Sequence, residues 1–237
     1  MSNPYFQFKQ FRIEQERCAM KVTTDACIQG SWTPVLPGVK RVLDIGTGTG
    51  LLSLMLAQRD SGIIIDAIEF DSESAGQAAD NIAASPWKDR INVIDGDVCD
   101  HIFTHKFDLI ISNPPFFNNS LLGEDGERNK ARHTLSLTYI DLLKVIEENL
   151  TESGYASVLL PYPEYMQWKI LLADNRWFEF HKLSVCHTQQ APVKRVVCLF
   201  SKKAITIVKE NMLIIHNNQH QYTPGFIELL APFYLDL

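Results

Sequence analysis

The segment 39–45 reads as a strand, ends in Gly46-Thr47-Gly48-Thr49-Gly50 and passes directly into the leucine-rich segment 51–58. A strand that breaks on glycines and reopens as a helix constrains the fold more than any other feature. Glycine takes the left-handed conformations of such a turn without steric cost, and a strand followed by a helix belongs to a parallel sheet. The rest of the chain repeats the alternation. Segments 63–69, 91–94, 107–112 and 154–160 read as strands, and 71–84, 138–149 and 163–174 as helices. Strands alternating with helices imply a parallel sheet covered on both faces. Segments 177–187 and 195–200 read as two strands in succession, which predicts an antiparallel pair at the sheet edge.

Length and composition suit one large domain with small additions: 237 residues, 46% hydrophobic. Residues 1–32 are aromatic and charged, and Pro34, Pro37 and Gly38 then punctuate the chain. The chain divides into an N-terminal segment, 1–33, covering the active site, a central domain, 34–203, and a C-terminal appendage, 204–237, packed on the same domain. In the appendage a strand is expected at 212–215 and a helix at 224–230. The segment 118–133 reads as a mobile polar loop. Five cysteines, Cys18, Cys27, Cys99, Cys186 and Cys198, include no Cys-x-x-Cys pair. They read as buried reduced thiols, not as a disulfide scaffold or a zinc site. Neither a signal peptide nor a membrane-spanning run is recognisable, so a cytoplasmic protein is expected.

The charge within the glycine turn identifies the ligand it suits. A dinucleotide fingerprint, Gly-x-Gly-x-x-Gly, seats a pyrophosphate on the helix N-terminus. Here the spacing is Gly-x-Gly-x-Gly and Asp44 precedes it, a carboxylate that repels pyrophosphate and attracts an amino group. Glu69, at the end of the second strand, stands where an acid holds two ribose hydroxyls. Asp97, past the third, can accept an adenine exocyclic amine, with the backbone of Val98 beside the same ring. A nucleoside with a cationic, amino-acid-like end satisfies all of these, and S-adenosylmethionine is such a molecule.

The fourth strand runs into Asn113-Pro114-Pro115-Phe116. An Asn side-chain oxygen and a Pro carbonyl can each accept an N–H of a planar amino group. Both then oppose the positive charge that grows on its nitrogen during attack on a methyl donor. The prolines stiffen the turn, and Phe116 offers a face on which a base can stack. Asn-Pro-Pro by itself is also an ordinary turn; the cofactor residues tip the reading towards chemistry.

With these motifs in place, the sequence resembles the class I S-adenosylmethionine-dependent methyltransferases over about residues 20 to 200. Three further segments resemble a narrower group: Met20-Lys21-Val22-Thr23-Thr24-Asp25-Ala26, Arg132-His133, and Tyr222-Thr223-Pro224 through Phe233-Tyr234-Leu235. That group is the tRNA1(Val) adenine-37 N6-methyltransferase family. The resemblance implies a Rossmann-like α/β fold with a mostly parallel seven-stranded sheet, an antiparallel edge strand and a small C-terminal appendage. It also implies N6-methylation of the adenine beside the anticodon of a valine tRNA by direct in-line transfer. Carried over residue by residue, Asp44, Gly46 and Gly48 form the cofactor loop. Glu69 serves the ribose, Asp97 and Val98 the cofactor adenine, and Asn113, Pro114, Pro115 and Phe116 the target base, Asn113 also bordering the cofactor. Lys21 and Thr24 fall near the methionine end of the cofactor or the mouth of the site, and Arg132 and His133 on the RNA. A monomer without a metal is expected.

A net charge of -6 leaves RNA contact to local basic clusters: Lys9, Arg12, Arg17 and Lys21; Arg128, Lys130 and Arg132; Lys194, Arg195, Lys202 and Lys203. Methylation of guanine N2 in ribosomal RNA, or of a protein glutamine, shares the same motif and remains an alternative. So does, more remotely, a non-catalytic module that keeps a cofactor pocket or an RNA-binding surface.

Overall fold

The structure is a computed structural model that describes residues 3–114, 137–204 and 207–237. Pro115, Phe116, the segment 118–133 and, within it, Arg128, Lys130, Arg132 and His133 lie outside the described residues.

Ten strands and six helices are present among the described residues. A hairpin of β1 (Tyr5–Gln7) and β2 (Arg12–Glu14) opens the chain, followed by α1 (Thr24–Trp32). The alternation then begins with β3 (Arg41–Ile45), α2 (Leu51–Arg59), β4 (Ile64–Glu69), α3 (Ser72–Ala83), β5 (Ile91–Asp95) and β6 (Phe107–Ser112). It continues with α4 (Tyr139–Asn149), β7 (Leu150–Pro161) and α5 (Tyr162–Asp174). The chain closes with β8 (Phe178–Cys186), β9 (Val193–Ser201), β10 (Lys209–Ile214) and α6 (Pro224–Leu230).

Eight strands form one sheet in the order β10-β8-β9-β7-β6-β3-β4-β5. The mostly parallel sheet is as expected, with two corrections. It has eight strands instead of seven, because β10 pairs parallel with β8 along Lys209↔His181 to Ile214↔Cys186. The one reversed strand, β9, is not at the edge but lies between β7 and β8, antiparallel to both. The apolar content of β9 fits that interior place, since Val196 to Phe200 are all 0% exposed.

Helices cover both faces. On one face α1, α2, α3, α6 and the β1–β2 hairpin pack in a single apolar cluster; on the other α4 and α5 enclose Trp168, Phe107 and Phe200. Local chemistry starts most helices where the sequence indicates. The Asp71 side chain caps α3 by accepting from Ser74 N, and Thr138 and Asp141 form a reciprocal capping box on α4.

Residues 1–32, given no elements from their sequence, hold the hairpin and α1. Phe8 and Phe11 stack with ring centroids 4.5 Å apart, and Phe8 bridges to Tyr234, tying the hairpin to the far end of the chain. The pattern of α1 hides it, because its buried residues include Gln29, Gly30 and Ser31. Gly30 lets α1 approach α2 closely: a Cβ there would stand 2.7 Å from Met55 Sδ. Four cysteines are buried, but Cys99 is exposed, on the turn where its N–H donates to Asp97 Oδ1.

Candidate active site

The sheet reverses its order of travel between β3 and β6. From β3 the chain proceeds outward through β4 and β5, and from β6 outward on the other side through β7. In open α/β sheets the crevice beyond the strand ends at such a switch point is where ligands bind. The register places the candidates there. Ile45 lies beside both Ser112 and Ile68, and Glu69 beside Asp95. The glycine turn, Asn113, Glu69 and Asp97 therefore share one edge, across about 14 Å at the usual strand spacing.

On the β3 side the polar groups are held in place by the protein itself. Asp44 is fully buried, and its Oδ2 accepts from Thr47 Oγ1 at 2.6 Å and Ser53 Oγ at 2.7 Å. Its Oδ1 is buried with no hydrogen-bond partner among the described residues. Burial raises the Asp44 pKa to about 6, the two hydroxyls opposing that shift. A cation placed beside Oδ1 would favour the charged form, so the carboxylate fits an ammonium group. Gly46, Gly48 and Gly50 have φ of 70°, 56° and 82°. A Cβ at Gly46 or Gly48 would meet nothing within 4 Å, so the turn faces open space that a ligand can enter. Glu69 Oε2 accepts from Gly48 N at 2.8 Å and Oε1 from Asp71 N at 3.1 Å. Each oxygen keeps a second lone pair for a ribose hydroxyl. Val98 is buried behind Asp97. These residues fit S-adenosylmethionine in charge and in space.

On the β6 side Asn113 stands one residue past the strand, and its Oδ1 is buried without a partner among the described residues. An unpaired buried acceptor costs on the order of 1–3 kcal/mol until a donor arrives. Its position is supported from beneath by a residue the sequence did not single out. Gln29 of α1 is fully buried, and its Nε2 donates to Ser112 O at 2.9 Å and to Ser157 O at 3.3 Å. Ser112 Oγ in turn donates to Ile45 O at 2.9 Å. The backbone just before Asn113 is thus tied to α1, to β7 and to the strand that carries Asp44. A polar residue inside an unpatterned helix leaves no periodic signal; only the polarity of Gln29 amid a buried run hints at it.

Thr24 opens α1, beside Tyr234, to which its side chain is hydrogen-bonded. Lys21 lies in the approach to the same helix, just before Val22, whose N–H donates to Gln15 Oε1.

Among the described residues, the first basic cluster is largely paired and the late one is split. Arg12 pairs with Glu14 at 2.7 Å, Arg17 pairs with Asp80, and Lys9 Nζ donates to Ala231 O at 2.6 Å. The late cluster divides between two edges. Arg195 starts β9 at the site's edge and pairs with Asp25 at 2.9 Å, with exposed Lys194 beside it. Lys202 and Lys203 lie past its far end, roughly 23 Å away along the strand, where Lys202 pairs with Glu147 at 2.7 Å.

Comparison with known proteins gives the same picture. Residues 34–125 match the methyltransferase small domain family. The chain is 41% identical over 240 residues to the tRNA1(Val) (adenine(37)-N6)-methyltransferase of Bacteroides thetaiotaomicron, covering 100% of both chains. It is 42% identical over 236 residues to the enzyme of the same name from Tolumonas auensis, covering 99% of this chain and 98% of the relative. Among solved structures, a protein described as a predicted O-methyltransferase from Agrobacterium tumefaciens superposes with a TM-score of 0.67 at 19% identity, over 88% of this chain and 96% of the other. That last likeness concerns the fold alone.

Proposed function

The chain belongs to the family of tRNA1(Val) (adenine(37)-N6)-methyltransferases, and from that premise we infer that it methylates N6 of an adenine in tRNA, adenine 37 beside the anticodon of a valine tRNA. The methyl donor is S-adenosylmethionine, which supplies when bound a methyl group made electrophilic by its sulfonium.

The chain's own residues do the rest. Asp44 holds the cationic amino end of the donor, Gly46 and Gly48 admit it, and Glu69, Asp97 and Val98 hold its ribose and adenine. Lys21 and Thr24 serve near the methionine end of the cofactor or at the mouth of the site. Asn113 Oδ1 and the Pro114 carbonyl accept the two N–H bonds of the target amine, aim its lone pair and oppose the charge it acquires. The neutral amine attacks and its proton leaves afterwards to water, so positioning dominates the rate. Splaying the adenine out of the anticodon loop costs a few kcal/mol; Phe116, with Pro115 in the same motif, stacks against the base and offsets part of it. Arg132 and His133 contact the RNA. The enzyme works as a cytoplasmic monomer without a metal, its central catalytic domain being 34–203.

The observation that carries this reading is the buried Asn113 Oδ1 at the switch point, without a partner among the described residues and one strand from Asp44. The test is transfer of labelled methyl from S-adenosylmethionine to unmodified total tRNA, with nucleoside analysis of the product. N6-methyladenine at position 37 of a valine tRNA is expected. Label confined to ribosomal RNA or protein would overturn the substrate, and no transfer at all would overturn the enzyme.

A further inference from the structure

Four aromatic rings stand in a row at the site's edge, on the side away from the cofactor residues. His187 comes just after β8, and His216 just after β10. Their ring centroids are 4.7 Å apart. His216 stacks on Tyr222 at 4.8 Å, and Tyr222 on Phe226 at 4.5 Å, with interplanar angles of 28° and 21°. Phe226 is fully buried, Tyr222 is 39% exposed, and His187 is exposed. The row thus runs from the core out to the surface.

Backbone bonds fix it. His216 N donates to His187 O at 2.9 Å, and His216 and Tyr222 form an antiparallel bridge closed by Asn217 N to Gln221 O at 2.8 Å. The outer end of the row is the exposed imidazole of His187, backed by the half-buried His216, whose Nδ1 is enclosed. Partial burial, then the nearby His187 and His220, holds His216 below its ordinary pKa, which favours the uncharged ring.

The strand ends that carry these rings point the same way as the end that carries Asn113, since β8 and β10 run parallel to β6. Counting strands, β8 lies about 14 Å and β10 about 19 Å from β6. Exposed Lys194 stands between them, the extra residue of a bulge where Val185 faces Arg195 and Cys186 faces Val193. Ring faces with a cation alongside suit a single-stranded nucleic acid: bases stack and the phosphate is neutralised.

We propose that His187, the outer ring of this row, with Lys194, is a second RNA-binding platform that stacks a nucleotide flanking the target adenine, His216 and Tyr222 backing it from within. It rests on the reading of tRNA as substrate. A base drawn into the Asn113 pocket leaves its neighbours in the strand to cross β7 and β9, and the ladder meets them there. The loop is then held open from two points, which stabilises the splayed state.

The test uses the full chain, S-adenosylhomocysteine and an unmodified valine tRNA transcript. His187→Ala should weaken transcript binding about tenfold, the usual loss of a stacked base, with affinity for S-adenosylhomocysteine unchanged. His187→Trp should keep binding, and the fluorescence it adds should be quenched by the transcript. Wild-type transcript binding in His187→Ala, with no added quenching in His187→Trp, overturns the platform while leaving the function intact. A wild-type enzyme that binds no tRNA overturns the functional reading and the platform with it.

Discussion

The two sides of the switch point solve different problems. On the β3 side most polar groups are already engaged, Asp44 Oδ2 by two hydroxyls, Glu69 by two backbone N–H groups and Asp97 by the N–H of Cys99, while Asp44 Oδ1 is left unpaired among the described residues. On the β6 side Asn113 Oδ1 is buried and unpaired among the described residues, with no side-chain scaffold of its own, and what holds the residue is the backbone beneath. A cofactor that returns in every cycle suits a mould built in advance. A substrate that must be unstacked suits a site whose unmet hydrogen bond is satisfied only when the base is in place.

The sharpest way to break this contrast is Asn113→Ala. Turnover should fall about 10²- to 10³-fold, as for loss of one preorganised transition-state contact, with S-adenosylhomocysteine affinity near wild type by calorimetry. Equal loss of both would mean that the two sides are one unit. Asp44→Asn should do the opposite, weakening cofactor affinity by about tenfold or more, as for loss of a charged hydrogen bond.

Asp44 also predicts a pH dependence. Burial favours its protonated form in the free protein, whereas a bound ammonium favours the carboxylate. Binding must therefore release a proton below about pH 6, and cofactor affinity should fall as pH drops through that value. Calorimetry in buffers of different ionisation enthalpy measures the release, which Asp44→Asn should abolish. The sign for folding is reversed. The raised pKa contributes stability that is full below the ordinary carboxylate range and is lost as pH rises through about 6. Thermal melts of the ligand-free protein across that window check it, on the contribution of this one group.

A smaller effect is expected of Gln29→Leu, which leaves the Ser112 and Ser157 carbonyls without this donor. Stability should drop by about 1–3 kcal/mol, and kcat should fall more than KM rises, because Asn113 loses its support. An unchanged kcat with a lowered melting point would reduce Gln29 to a structural role. The smallest contrast lies among the lysines. Lys194→Ala should lower the salt dependence of tRNA binding by about one ion, whereas Lys202→Ala and Lys203→Ala, at the opposite edge, should leave it unchanged. A salt response that changes in the Lys203 variant would mean that RNA wraps to the far edge of the sheet.

Most of the alternation was legible because buried parallel strands are apolar throughout and end on residues that cannot continue them. β6 and α6 have the ends the sequence predicts, and in the structure Thr223 caps α6 and Pro224 starts it. Asp44, Glu69 and Asp97 stand out in the sequence for a related reason: a carboxylate at the end of, or just past, a buried strand is out of keeping with a core, and the structure puts Asp44 and Glu69 within β3 and β4. Where signals failed, side chains were buried for reasons other than hydrophobicity. α1 buries Gln29 and Ser31, so it has no apolar stripe. The hairpin's place depends on Tyr234, more than 200 positions away. β10, with four of its six residues exposed, belongs to the sheet through the backbone of β8 and not through any apolar face.

The sequence by itself determined the local rules: which segments run straight and apolar, where glycines bend the chain, and which charges stand beside the bend. Those are properties of neighbouring residues, and a chain cannot escape them. Only the tertiary structure decided that β9 lies inside the sheet, that Gln29 stands behind Asn113, that Lys194 and Lys202 face opposite edges, and that His187, His216, Tyr222 and Phe226 form one row. Each of these joins residues distant in sequence. Their contact becomes favourable only after the sheet has closed and the entropy of bringing the segments together has been met by the burial of the two cores.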